Sequence, residues 1–365
     1  MPFDVGDFPG ASSSDRAASR RSRQIVAGWL LTVAAMIVVM IGLGGATRLT
    51  GSGLSIMEWA PVRGILPPLS NAEWHRLFDL YKQIPQYKLV NADFQLGDFQ
   101  EIFWLEWVHR LWGRLVGLAF IVPLIWFWVT GHISRALVPR LLGLFILGGL
   151  QGAVGWFMVA SGFFPDSTAV SPYRLVVHLS LALILYAALL WTGLSVLTPQ
   201  PRRVAAPSIL RALAFALTGL VALTILAGGF VAGLHAGLDY NTFPLMDGRL
   251  IPDGYARLSP FLTNLTENIA AVQFNHRLLA TLSVVGVAIT LLVGFRTPPA
   301  VMPRGPLIAL GVIAGLQYVL GVTTLLLVVP ASLGTAHQVG ATLLLTAAIV
   351  LLHAIRKPAE PDAPG

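Results

Sequence analysis

Apolar runs, each close to the roughly 20 residues that carry a helix across a bilayer, alternate with polar connections along most of the chain. Eight are legible, at about 24–46, 111–131, 141–161, 176–197, 209–234, 278–295, 306–329 and 336–355. In lipid a helix satisfies its own backbone polar groups, so such runs are read as spanning helices. The pattern predicts an all-α integral membrane protein with eight transmembrane helices. Two long polar connections, 47–105 and 235–275, and a shorter one, 162–175, fall on one side of that topology. The first contains "NAEWHRLFDLYKQ", whose spacing predicts a short amphipathic helix lying at the membrane interface.

Composition supports the same picture. The chain is 55% hydrophobic and 11% charged, where a soluble domain carries about 25% charged residues. The net charge is +7, and the arginines are confined to alternate connections. Arg16, Arg20, Arg21 and Arg23 precede the first run; Arg135 and Arg140 follow the second; Arg202, Arg203 and Arg211 follow the fourth. Arg296 and Arg304 follow the sixth, and Arg356 with Lys357 follows the eighth. The positive-inside rule makes that side, with both termini, cytoplasmic. The basic balance therefore reports topology, and no soluble basic face for nucleic acid is present. The first run is too long for a signal-peptide core. Asp4, Asp7 and Asp15 do not suit a transit peptide. A bacterial inner membrane is the expected location. Cysteine is absent, which excludes disulfides, thiolate metal sites and covalently attached c-type haem.

The chain repeats itself. "GLQGAVG" at 149–155 returns as "GLQYVLG" at 315–321, and "EWVHRLWGR" at 106–114 as "QFNHRLLAT" at 273–281. "YRLVVHLSLA" at 173–182 aligns with "SLGTAHQVGA" at 332–341, and "GGATRLTGSGLS" at 44–55 with "GGFVAGLHAGLD" at 228–239. Two four-helix bundles of like orientation are expected, related by an axis along the membrane normal. The divisions are a polar tail over 1–23, a first half over 24–200, a second half over 201–357 and a tail over 358–365.

Histidine is the strong metal ligand that remains, and there are eight. His109, His178, His276 and His337 fall at the outer ends of the second, fourth, sixth and eighth runs. Ionisable groups in a membrane are costly and mark function. Two imidazoles per half, on two helices at similar depth, suit one iron gripped from both faces of a flat ring. A zinc site would gather three or four ligands instead. The residues four further on, Gly113, Ala182, Ala280 and Ala341, are all small and leave room beside each ring. His132 and His353 are expected at the cytoplasmic interface, and His75 in the first outer connection. His235 ends the fifth run without a histidine counterpart. Arg110, Arg174 and Arg277 are candidates to pair with haem propionates. Gln151 and Gln317 lie deeper, as links between helices or as lining of the ring pocket. One asymmetry stands out: Glu106 precedes His109 by three residues, whereas Gln273 precedes His276. A carboxylate can exchange a proton and an amide cannot, so the first half is expected to be the reactive one.

At these residues the chain resembles the haem A synthase family of Cox15/CtaA type. The likeness covers roughly residues 25–355. It rests on E-x-x-H-R at 106–110, the paired G-L-Q-x-x-x-G, the helices of His178 and His337, "NTFPLMDGRLIP" at 241–252 and "QFNHR" at 273–277. The resemblance implies an enzyme that oxidises a ring methyl of haem O to the formyl of haem A, for terminal oxidase biogenesis. It implies that His276 and His337 hold a resident haem b and that His109 and His178 hold the substrate haem. It also implies that Glu106 is the functional carboxylate, and that haem O arrives from its farnesyltransferase source. Some members carry a cysteine pair in the first outer connection. This chain is similar to the branch that lacks it. An electron-carrying b-type cytochrome with two permanent haems, and a transporter built on parallel repeats, are the alternatives. The electron acceptor and any homo-oligomer are not legible in the sequence.

Overall fold

The computed structural model describes residues 13–200 and 206–356. The expected tail over 358–365, Arg202, Arg203, Lys357, Asp4 and Asp7 lie outside the described residues. Among the described residues, eight helices are long and apolar enough to cross a membrane. They are α1 (Ser13–Leu49), α3 (Leu96–Val129), α4 (Val138–Val159) and α5 (Pro172–Leu197) in the first half. The second half holds α6 (Ser208–Gly233), α7 (Ile269–Arg296), α8 (Arg304–Leu326) and α9 (Ala331–Ala354). The short helix α2 (Asn71–Tyr81) occupies the first outer connection, at the predicted amphipathic segment. Large apolar side chains such as Ile146, Leu316, Val319 and Trp126 stay more than 60% exposed to the surroundings. Apolar surface so extensive is stable against lipid and not against water. The protein is a multi-pass membrane protein.

Three boundaries differ from the hydropathy reading, each for a local reason. Helix α1 begins at Ser13, inside the stretch read as a polar tail. Arginine is a good helix former, and charge does not stop a helix. Helix α3 begins fifteen residues before the apolar run, at a capping box in which the Gln95 backbone N–H donates to Asp98 at 2.8 Å. Helix α7 begins at Ile269, after the N-cap Asn268, whose side chain accepts from the Ala270 and Ala271 N–H groups. The polar sequences around His109 and His276 therefore lie within helices and not at their mouths.

Within each half, successive helices pack on one another and the last closes on the first: α1, α3, α4, α5 and then α6, α7, α8, α9. The halves meet through α1, α5, α6 and α9. Helix α1 turns Val26, Leu30, Val33, Ile37 and Ile41 into this centre, a spacing of three and four that makes one helical face. Interhelical hydrogen bonds fix the register: the indoles of Trp29 and Trp112 donate to the Ala119 and Met36 carbonyls, at 2.8 and 2.9 Å. His353, in the last turn of α9, is 4% exposed. It lies 3.2 Å from Ser195 Oγ and edge-on to Trp191, and it joins α9 to α5.

Candidate functional site

In the second half, α7 and α9 bring the rings of His276 and His337 together edge to face. Their ring centroids are 6.4 Å apart and the ring planes are 88° from parallel. An imidazole nitrogen sits about 2 Å from a metal it ligates, so two rings on opposite sides of one metal have centroids roughly 6 Å apart. The observed spacing matches. His276 Nδ1 donates to the Thr224 carbonyl oxygen at 3.1 Å. That oxygen only accepts, so the proton is on Nδ1 and Nε2 keeps its lone pair for a metal. The ring reaches the carbonyl because Gly228, one turn further along α6, has no side chain: a Cβ there would stand 3.0 Å from His276 Cε1.

His337 is held by α8. The Gln317 side-chain amide donates to the His337 carbonyl at 2.9 Å and lies 3.0 Å from Nδ1. Gly321, again one turn on, backs the ring so closely that a Cβ would be 2.6 Å from Cε1. The first half repeats this arrangement. The Gln151 amide on α4 donates to the His178 carbonyl at 3.0 Å and lies 3.2 Å from Nδ1, and a Cβ on Gly155 would be 2.9 Å from the ring. His109 on α3 is backed by Gly44 of α1, at 3.2 Å from Nε2 to a built Cβ. The Oε1 atoms of Gln151 and Gln317 are buried without a hydrogen-bond partner. Among the described residues, no three of His, Cys, Asp or Glu gather into a metal cluster. The facing imidazoles of His276 and His337 are a donor set that fits a bis-histidine haem.

The room beside the rings thus comes from Gly44, Gly155, Gly228 and Gly321, each on a helix other than its histidine's own. Of the residues four after each histidine, Gly113 faces Met40 and not a histidine ring. Sequence reading passed over these four glycines as ligand-facing positions. The signal was there, since they stand in the two repeated motifs at 44–45 and 228–229 and close each G-L-Q-x-x-x-G.

All three arginines expected at propionates have partners within the protein. Arg110 donates to the Ile56 and Glu58 carbonyls at 2.8 and 2.7 Å, and Arg277 to the Tyr240 and Thr242 carbonyls at 2.5 and 2.8 Å. Arg174 lies over the Phe157 ring, 3.8 Å from its centroid, and donates to the Phe157 carbonyl at 2.8 Å. It stands one turn before His178 on α5. Glu106 is 2% exposed and both its oxygens are occupied by donors, from Ser55, Ile56 and Arg110. His75 and His132 hydrogen-bond locally, to Asn71 and Thr130, away from these pockets. His235 opens the turn after α6 with φ 54°; desolvation, with the Arg48 charge adding, pushes it below the usual imidazole range.

Over residues 27–349 the sequence matches the COX15-CtaA family, cytochrome oxidase assembly protein. It is 61% identical over 337 residues to "Heme A synthase" of Granulibacter bethesdensis, covering 92% of this chain and 89% of that relative. It is 47% identical over 353 residues to "Heme A synthase" of Rhodospirillum centenum, covering 97% and 93%. It is 46% identical over 344 residues to "Heme A synthase 2" of Acidiphilium cryptum, covering 93% and 94%. Matched over nearly its whole length, the chain belongs to the COX15-CtaA family, and its function is that of the haem A synthases.

Proposed function

We propose that the two halves divide the labour: the second holds a resident haem b between His276 and His337, and the first takes haem O between His109 and His178. The reaction is the oxidation of a ring methyl of haem O to the formyl of haem A, for terminal oxidase biogenesis. The observation that carries this reading is the His276–His337 pair, 6.4 Å between ring centroids with the His276 proton directed to Thr224. When bound, haem b supplies one-electron transfer from the substrate site to an acceptor. Thr224 sets the His276 tautomer, and Gln317 fixes the orientation of His337. Gln151 does the same for His178 in the substrate site, while Gly44 and Gly155 leave the rings close against α1 and α4. Arg174 is the arginine best placed for a substrate propionate, one turn outward of His178. The apolar spans keep water from the ring and leave the farnesyl tail of haem O in lipid. The protein sits in a bacterial inner membrane with cytoplasmic termini and both pockets toward the periplasmic side.

Mass spectrometry of haems extracted from the purified protein tests the assignment. Haem B together with haem O or haem A is expected. Haem B alone, filling both sites, would establish the electron-carrying cytochrome instead.

A further inference from the structure

The exchange of Glu106 for Gln273 between the halves looks like a proton acceptor set beside one histidine and withheld from the other. The hydrogen bonds around the two residues support a different role. Glu106 Oε2 accepts from Ser55 N at 2.7 Å, Ser55 Oγ at 2.7 Å and Ile56 N at 3.0 Å. Its Oε1 accepts from Arg110 Nε at 3.0 Å and Nη2 at 2.6 Å. A carboxylate offers about four lone-pair sites, and here five donors converge on it. Arg110 in turn donates to the Ile56 and Glu58 carbonyls. One side-chain pair on α3 therefore engages both the N–H groups and the carbonyls of the segment that follows α1.

The second half builds the same device with the opposite polarity. Gln273 Oε1 accepts from Arg277 at 2.9 Å, as Glu106 accepts from Arg110. Arg277 donates to Tyr240 and Thr242, which continue the 44–55 and 228–239 alignment to the positions of Ile56 and Glu58. The Gln273 amide, however, donates to the Ala236 and Asp239 carbonyls at 2.7 and 2.6 Å. In the first half the segment presents donors, which call for a carboxylate. In the second it presents acceptors, which call for an amide N–H. The acid–amide difference follows the polarity of the backbone that each residue faces.

We propose that Glu106 is a positioning residue: with Arg110 it locks residues 55–59 across the first pocket and sets His109 through the helix, and it does not exchange protons with the substrate. This rests on the reading that the first pocket takes haem O. The lock reaches three of the four helices around that pocket. Its segment leaves α1, whose Gly44 backs His109. Glu106 and Arg110 flank His109 on α3. Trp59, at the segment's far end, stacks on Trp156 of α4 at 6.3 Å, beside Arg110.

Glu106→Gln in the full membrane-embedded protein, loaded with haem O, separates the two roles. The amide would turn its N–H groups toward either the Ser55 and Ile56 donors or the guanidinium. The lock predicts backbone hydrogen exchange at Ser55 and Ile56 faster by about tenfold or more. It also predicts a shifted midpoint potential for the first-site haem, an unchanged one for the second, and a pH–rate profile lowered without change of shape. Unaltered exchange with one limb of the pH profile lost would overturn the proposal in favour of proton transfer. Ser55→Ala guards against misfolding, since it removes one donor and keeps the acid. Several-fold faster exchange at Ile56 and a smaller first-site shift are expected of it, and no change in either would also overturn the lock. Should the wild-type first site take up no haem O, the functional reading fails, while the exchange measurements still decide the lock.

Discussion

Gly321 of α8 lies flat against the imidazole of His337 on α9, so close that a Cβ would stand 2.6 Å from Cε1. A ring is not a flexible tip that can swing aside, so Gly321→Ala must displace the ligand or the helix. Overpacking of this kind costs about 1–3 kcal/mol. The second-site haem should lose its low-spin, bis-histidine absorption while the first site keeps its own. Gly155→Ala should do the reverse, because it stands against His178. Optical spectra of the two variants, with each site loaded separately, check the assignment of glycine to pocket.

Gln317→Leu removes the amide that holds His337 by its backbone and lies beside its Nδ1. Each hydrogen bond contributes about 1 kcal/mol net, so haem b should leave the second site roughly fivefold to tenfold faster. The rate of haem transfer to a scavenging apoprotein measures it. An unchanged rate would mean that the glutamine only joins α8 to α9.

The first outer connection is held by aromatic packing. Phe99 at the start of α3 is fully buried, with ring centroids of Phe78, Tyr81 and Phe103 at 5.2, 5.4 and 5.9 Å. Phe99→Ala should cost about 3–5 kcal/mol locally, releasing α2 while the spans persist. Limited proteolysis should then cut within residues 71–95, where the parent protein resists.

Arg76 on α2 bridges Glu58 at 3.0 Å and Glu73 at 2.7 Å. Its hydrogen bonds hold both carboxyls below their usual range. Folded pKa values below the unfolded ones mean stabilisation that is complete above the ordinary carboxylate range, about 4.3. It is lost as pH falls through the folded values. The groups are exposed, so the whole bridge contributes no more than about 1 kcal/mol. Hydrogen exchange in α2 should accelerate below about pH 4, and Arg76→Gln should abolish that acid dependence with little effect at neutral pH.

The spans and their number were legible because the transfer of a helix into hydrocarbon depends on local composition. The same holds for α2, where apolar positions recur every three or four residues. The starts of α3 and α7 were not, because a capping box at Gln95 and a cap at Asn268 extend helices through polar sequence that hydropathy discounts.

The four histidines and the two glutamines are likewise legible in the chain alone, since polar groups stand out in apolar helices. What they touch was decided by the tertiary structure. Gly44 meets His109 and Gly228 meets His276 only because α1 packs on α3 and α6 on α7. The use of Glu106 was decided there too. Its partners Ser55 and Ile56 lie 51 and 50 residues away, and whether a backbone turns its N–H or its C=O toward a helix is set by how the segment folds back. Composition carries no record of that choice, because every non-proline residue has one of each.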